Sequence, residues 1–499
     1  MASLILTLDV GTSSLRVMLF VADGDALGRA VLDAETQIKY SVHTTPDGGV
    51  ELDPTALFAS TLEAIDGALG KVAPGDKVVA VAMDTLWHST CGIDEDGQPL
   101  TPLYLYSDTR AADAAARLRT RLDARAVHER TGCALHPSYL PAKLLWLKES
   151  RGDRYQRAAL WLSFGEYLYL RLFGHTLCSY SMASGTGLLD VHRLTWDPEV
   201  LGAVGLDAGK LAPLGDRDTR FGPVAGAWAA RWPALKDAPW FPALGDGACS
   251  NIGSGCATPA RINLTVGTTG ALRVVAATPD AVAPAGLFFY RVDKGRPLIG
   301  GATSEGGNLF AWMRDTMQFD PVPKLDAELS ALEPDSHGLT VLPFIAGERA
   351  PGWVDKATAT ITGLTQATRS IDILRAGLEA IAYRFALILG GLDGVAADDA
   401  PVIASGGALL ASPVWMGIVA DTLNRRLIAL DEKESTSRGA ALLAMESLGL
   451  LPSAADAPGA LGAIYEPDPA RHARYAQAIV RQVRLYDLLV MPGQGAGAR

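Results

Sequence analysis

One short pattern occurs twice in this chain, and it constrains the fold more than any other feature. Leu8-Asp9-Val10-Gly11-Thr12-Ser13-Ser14-Leu15-Arg16-Val17 is echoed by Leu264-Thr265-Val266-Gly267-Thr268-Thr269-Gly270-Ala271-Leu272-Arg273-Val274, with one residue inserted after the turn. Each copy reads as a strand, a small hydroxyl-rich turn and a second strand, and each stands near the start of one half of the chain. A duplicated domain is expected, with units at 1–254 and 255–499 and the boundary in the glycine-rich stretch 253–259. At 499 residues, 48% hydrophobic and 20% charged, the chain has enough apolar material for two cores.

The flanking patterns are those of α/β units with mixed sheets. In the first half, strands are expected at 4–10 and 15–21, with a third starting near Arg29, making a meander. Asp53-Pro54 then opens a helix that places Leu57, Phe58, Leu62, Ile65 and Leu69 on one face, and a buried strand follows at 78–83. In the second half, a helix is expected at 371–389, stopped by Gly390-Gly391, then a strand at 402–404, a turn at Gly406-Gly407 and helices at 413–424 and 437–448. Gly439-Ala440-Ala441 in the last helix is small enough for close packing or for a ligand to approach.

Several function classes are excluded by composition. The formal charge of −11, spread along the chain, provides no basic stripe for nucleic acid. Five cysteines form an odd set with no C-x-x-C pair, so buried reduced thiols are expected, not disulfides or zinc. No apolar run is long enough to span a bilayer, and the N-terminal stretch lacks a basic leader and is broken by Asp9. A cytoplasmic protein acting on a small molecule, without a membrane or nucleic-acid partner, is the expectation; a homodimer is left open.

Neither a P-loop nor a strand-to-helix G-x-G-x-x-G is present, so phosphate binding must be sought elsewhere. The two turns suit it: Gly11 and Gly267 let backbone N–H groups approach an anion, while Thr12, Ser13, Thr268 and Thr269 supply hydroxyl donors. Asp9 ends a buried strand beside the first turn, where it could hold hydrated magnesium or simply bond the turn backbone; its counterpart is Thr265. Asp246, in Gly245-Asp246-Gly247 after the apolar stretch 240–244, could accept a proton from an attacking hydroxyl or be only a turn residue.

With these residues in view, the chain resembles the FGGY carbohydrate kinases over nearly its whole length. Asp9-Val10-Gly11-Thr12-Ser13-Ser14 and Val266-Gly267-Thr268-Thr269-Gly270 are similar to that family's two phosphate motifs, and Gly245-Asp246-Gly247 falls at its catalytic aspartate. Ser405-Gly406-Gly407, Ala420-Asp421 and the stretch from Glu434 to Ala441 resemble its adenosine region, to which Ser412 is added. The resemblance is greatest to the gluconokinase branch, through His136-Pro137, Lys143 to Lys148, Ser184 to Asp190, Glu305 to Trp312 and Gly347-Glu348-Arg349-Ala350-Pro351. The run Asp84-Thr85-Leu86-Trp87-His88 keeps the family's histidine but puts Trp87 where a methionine is usual, and the adenine loop from Gly407 to Ser412 is one residue longer than the common pattern.

The resemblance implies two ribonuclease-H-like, actin-like domains around a central cleft, with ATP and Mg2+ as cofactors and a sugar or sugar acid as substrate. It implies Trp87, His88, Asp108, Arg110 and Tyr139 as substrate contacts, and Gly406 and Gly407 beside the nucleotide. Asp108 and Arg110 could instead form a surface ion pair, and His88 could be a core histidine. Glu348-Arg349 reads as a pair that pins a loop. An acid substrate such as gluconate needs a cation, for which Arg110, Lys143 and His88 are the candidates. A kinase for a neutral sugar such as xylulose is the alternative, and a non-catalytic nucleotide-switched protein of the same fold is the rival from another class.

Overall fold

A computed structural model describes residues 1–319 and 322–491. In the first half, a five-stranded sheet runs in the order Trp240–Gly245, Lys77–Thr85, Ser3–Val10, Ser14–Val21, Thr36–Lys39. The first three are mutually parallel and the last two antiparallel to their neighbours. In the second half, the sheet has seven strands. Its middle five are Leu427–Leu430, Val402–Ser405, Ile262–Val266, Gly270–Val275 and Arg296–Thr303, which repeat the same order and directions. Phe288–Asp293 and Leu461–Tyr465 extend its two edges. The chain therefore folds as two related α/β domains, each a mixed sheet flanked by helices.

The central strands are apolar runs because both of their faces are covered: Ile5, Leu6, Leu8, Ile262, Leu264 and Val266 are all buried. Asp53 caps the helix Pro54–Leu69 by accepting hydrogen bonds from the Thr55 and Ala56 N–H groups, with proline at the first helical position. The helix Ser370–Gly390 buries Leu374, Leu378, Ile381 and Phe385 and ends at Gly391. All five cysteines are buried and free. No helix among the described residues is long and apolar enough to cross a membrane.

One expectation needs correction and another gains detail. The third strand begins at Thr36, not near Arg29, because the short helical turns Gly24–Ala26 and Leu32–Ala34 intervene; Ala30 makes only a single bridge to Phe20. The extra residue of the second hairpin lies in its strand. Val10 pairs with Leu15, but Val266 already pairs with Gly270, so the second turn is tighter. In consequence Arg16 lies opposite Asp9, whereas Arg273 lies opposite Asn263; the two arginines are not equivalent.

The halves meet where the helix Asp246–Gly253 crosses the helix Ser435–Leu448. Glycine is obligatory at this crossing: a Cβ on Gly253 would lie 1.7 Å from the Ser435 carbonyl oxygen, and one on Gly439 1.9 Å from that of Cys249. Close packing accounts for Gly439. Buried Arg438 donates to the carbonyl oxygens of Gly28, Gly253 and Ala457, tying the crossing to both halves.

Candidate active site

A cavity of 280 Å³ lies between the two sheets and draws its walls from both, among them Thr12, Trp87, His88, Asp246, Thr269 and Arg349. One side of its surroundings is built by three neighbouring parallel strands, Ser3–Val10, Lys77–Thr85 and Trp240–Gly245, whose carboxyl ends bring three aspartates together. Asp9 and Asp84 are register partners on adjacent parallel strands, and Asp246 follows the third strand as the first residue of its helix.

These acids differ in how they are held. Asp9 is 8% exposed, with Arg16 Nη1 at 3.9 Å and Ser437 Oγ at 3.5 Å from its Oδ2. Burial pushes its carboxyl up to about 6, against the pull of Arg16. Asp84 is fully buried, and neither of its oxygens receives a hydrogen bond. Burial, with the charges of Asp9 and Asp246, drives its carboxyl well above the usual range. Asp246 lines the cavity and is only partly covered, its Oδ1 accepting the Gly247 N–H at 2.8 Å. Burial raises its carboxyl too, opposed by that N–H and by Arg273.

The glycines flanking Asp246 are required by packing. They make room for Trp87: a Cβ on Gly245 would lie 1.9 Å from the indole Cε2, and one on Gly247 2.6 Å from Cζ3. Trp87 Nε1 donates to the Ser181 carbonyl oxygen at 2.9 Å, so the ring is fixed as a wall of the cavity, next to Tyr290. His88 beside it adopts φ +63°, unusual for a residue with a Cβ. Its Nδ1 faces the Gly185 carbonyl, which can only accept, so Nδ1 carries the proton and Nε2 is left as an acceptor. Burial, then the charge of Arg349, depresses this imidazole to about 3, which makes it neutral.

Three expected substrate contacts stand outside the cavity lining. Arg110 pairs with Asp108 and Glu51 and lies over the Trp146 ring, while Asp108 also accepts the Val50 N–H at 3.2 Å. Both belong to a largely buried ion pair that ties the loop around Val50, neither a cavity wall nor a surface pair. Tyr139 is 1% exposed, its hydroxyl 2.6 Å from that of Tyr290, and it packs edge-on behind His88. It supports the wall without lining it.

The expected cations are replaced as well. Lys143 Nζ is buried, donates to the carbonyl oxygens of Pro137 and Ser138, and is depressed by burial to about 7. Instead, Arg273 and Arg349 line the cavity. Arg273 donates to the Gly247 carbonyl oxygen at 3.1 Å and, though burial lowers it to about 10, is charged at neutral pH. Arg349 lies 5.4 Å from the centre of the Tyr106 ring, and no carboxylate pairs with it among the described residues. Glu348 does pin its loop, through Arg384 and Tyr486, but its neighbour Arg349 does not. Sequence reasoning missed Arg349 because adjacent opposite charges suggest a pair, whereas adjacent side chains here take opposite directions. It also passed over Asp84, although an aspartate closing an apolar run one strand from Asp9 was a usable signal.

The turns lie across the cavity from one another. Thr12 and Thr269 line it, while Ser13 and Thr268 are exposed. Gly11 N–H closes its turn onto the Ser14 carbonyl oxygen at 3.0 Å, and Gly267 N–H onto that of Thr269 at 3.0 Å. A side chain at Gly267 would meet open space, whereas one at Gly11 would reach within 3.3 Å of Ser14 O. Beyond the second turn is a larger, mostly apolar cavity of 770 Å³, lined by Gly307, Phe310, Ala408, Ser412 and Trp415 among others. Gly307 N–H donates to the Gly267 carbonyl oxygen at 2.8 Å, so the second turn stands between the cavities. Ser412 both lines the larger cavity and caps the helix Pro413–Leu423. Gly406, at φ +94° and with a virtual Cβ 2.4 Å from the Val266 carbonyl oxygen, is required by the backbone; Gly407 faces open space.

Comparison with known proteins agrees with this arrangement. Residues 4–253 match the N-terminal domain, and 262–448 the C-terminal domain, of the FGGY family of carbohydrate kinases. A gluconokinase of Bacillus subtilis is 27% identical over 482 residues, 94% of this chain and 92% of that protein. A xylulose kinase of Lactococcus lactis subsp. lactis is 26% identical over 484 residues, 95% of this chain and 94% of that protein. The crystal structure of gluconate kinase from Lactobacillus acidophilus superimposes with a TM-score of 0.90 at 27% identity, covering 98% of both chains.

Proposed function

Since the chain belongs to the FGGY family of carbohydrate kinases, enzymes for which ATP is the expected phosphate donor, we propose that its acceptor is a sugar acid, gluconate being the best reading. Membership of an enzyme family removes the non-catalytic nucleotide switch. The observation that carries the acid reading is Arg349, a guanidinium lining the cavity that forms no ion pair among the described residues and acts on Asp246 only through its charge, with Arg273 also lining the cavity. Arg349 is only partly buried and makes no close ion pair, so its charge is available to a carboxylate on the substrate, which would compensate it through charge-assisted hydrogen bonds. Trp87 and Tyr290 would cover the carbon face of the substrate, and His88 Nε2 would accept from one of its hydroxyls.

In this reading, Asp246 takes the proton of the attacking hydroxyl as its oxygen bonds the γ-phosphorus and the bond to ADP breaks. The two turns cradle the phosphates from opposite sides, and the larger cavity receives the adenosine, with Ser412 and Gly407 at its edge. Asp9 would hold magnesium, a reading supported by the buried carboxyl of Asp84 beside it, to which no N–H or hydroxyl donates among the described residues. When bound, magnesium neutralises charge on the phosphates.

Coupled ADP-release assays on a panel of aldonic acids and neutral ketoses test the acid reading. Gluconate or another aldonic acid should be the best acceptor. Arg349→Gln should lower its kcat/KM by about 10- to 100-fold, the worth of a charge-assisted hydrogen bond, and leave turnover of any neutral sugar nearly unchanged. The second reading is a neutral ketose such as xylulose, favoured by the aromatic wall; better turnover of xylulose than of any acid would establish it in place of the first.

A further inference from the structure

The duplication provides an internal control for the aspartate at the end of Lys77–Thr85. Asp9 and Asp84 are register partners on adjacent parallel strands; the corresponding partners in the second half are Thr265 and Ser405. There the pair is self-sufficient, for the two hydroxyls hydrogen-bond each other at 2.9 Å. In the first half both positions carry carboxyls on the same face, and Asp84, fully buried, receives no hydrogen bond at either oxygen. The groups that face it are Asp9, Asp246 and Glu434, all acidic, and the thiol of Cys249. The guanidinium of Arg16 reaches Asp9 only at 3.9 Å and is shared with Glu35 and Glu434. Buried carboxylates are ordinarily paired, hydrogen-bonded or bound to metal; among the described residues no cation pairs with Asp84 and no N–H or hydroxyl reaches it, which leaves the equally acidic Asp9 carboxyl as its close partner.

We propose that Asp84 joins Asp9 in holding a divalent cation, so that this chain carries a two-carboxylate cation site at adjacent strand ends. The proposal rests on the reading of Asp9 as the magnesium residue and extends it to a residue the FGGY resemblance does not supply. Two carboxylates and several waters form a donor set suited to a hard cation such as Mg2+ or Mn2+. Another acidic cluster, Asp335, His337 and Glu379, has ligand atoms within 4.8 Å of one another, yet it is a poor cation site. Its acids are already neutralised by Arg375 and Arg481, and His337 Nδ1 is occupied by the Leu339 N–H. The Asp9–Asp84 pair differs: Arg16 reaches Asp9 only at 3.9 Å, and among the described residues no cation pairs with Asp84.

Mn2+ titrated into the full-length enzyme without nucleotide, followed by electron paramagnetic resonance, tests the site without reference to turnover. The unsubstituted protein should take up one Mn2+. Asp84→Asn and Asp84→Ser should each weaken it by about 10- to 100-fold, with melting temperature as the control for folding. The serine variant copies Ser405 of the second half and so is suited to this fold. Unchanged Mn2+ affinity in both variants, or no uptake by the unsubstituted protein, overturns the proposal. Asp9→Asn, assayed with Mn2+ plus ADP, keeps the two readings apart. Weakening there while the Asp84 variants bind normally leaves Asp9 as the metal residue and removes Asp84; no weakening there removes both.

Discussion

The two hairpins that start the two sheets have the same strand directions and nearly the same turn sequence, yet their ends are chemically opposite. At the first, Asp9, Asp84 and Asp246 crowd three neighbouring strand ends, all with carboxyls raised by burial. At the second, the matching positions hold Thr265 and Ser405, which satisfy each other, and the turn faces open space at Gly267. The duplicated fold thus differs at a few side chains: one copy gathers carboxyls at its strand ends, and in the proposed reading these serve the chemistry while the open turn of the other serves nucleotide binding. Fold alone does not distinguish these roles; the residues at the strand ends do.

The sharpest test of that division is Asp246→Asn. Asparagine fills the same space and still bonds the hydroxyl but cannot accept its proton, so turnover should fall by about 10²- to 10⁴-fold in single-turnover assays, with ATP affinity retained. Because burial raises the Asp246 carboxyl, the active, ionised form is lost as pH falls through that raised value. Turnover of the unsubstituted enzyme should therefore decline on the acid side at a pH above the ordinary carboxylate range. Near-normal turnover, with a lowered melting temperature instead, would reduce Asp246 to a structural residue and erase the contrast between the halves.

The second half has a raised acid of its own, Glu305, but this one lies away from the crowded strand ends. It is 3% exposed, accepts the Ala346 N–H at 3.2 Å, and is pushed by burial from 4.5 to about 8. Below pH 4.5 both folded and unfolded chains hold its proton. Between 4.5 and about 8 the unfolded chain releases it and the folded one does not, so stability declines as pH rises through that window and is level above it. Glu305→Gln removes this loss and should stabilise the protein by about 5 kcal/mol at pH 9 relative to its effect at pH 4, measured by denaturant titration. An equal effect at both pH values would count against a buried neutral Glu305.

The smallest expected effect belongs to the second turn. Gly267→Val puts its methyl groups into space that no protein atom occupies, so folding should be retained. ATP binding by calorimetry should weaken by about tenfold, roughly 1.4 kcal/mol, with sugar binding unaltered. Unchanged ATP affinity would mean that the second hairpin is only a hairpin, and the division of labour would lose its second term.

Much of this fold was legible from the repeat and from apolar periodicity. Both hairpins, the capped helix after Asp53, the long helix after Ser370 and the strand before Gly406 formed where their patterns placed them. What was not legible depended on register or on the direction of individual side chains. Leu272-Arg273-Val274 copies Leu15-Arg16-Val17 in letters, but backbone pairing decides which residues are equivalent, and it separates the two arginines. Among the candidate site residues, Trp87, His88 and Asp246 line the cleft because a strand end and a tight turn aim them there, while Asp9 lies buried at a neighbouring strand end. Asp108 and Arg110, two residues apart on a loop, had each other and Glu51 as partners, and mutual neutralisation won over exposure to the cavity.

The glycine crossing of the two helices has a mechanical consequence. With backbone against backbone at Gly253 and Gly439, this is one place where the halves approach very closely, and Ser437, two residues from Gly439, reaches toward Asp9. Any rotation of one half against the other about such a point behaves like a lever with a short inner arm and a long outer one. Atoms beside the fulcrum, the acidic strand ends among them, are displaced little, while the lips of the cleft sweep much farther. A fulcrum so placed would let the cleft admit and release bulky molecules while the acidic corner keeps its geometry throughout the stroke.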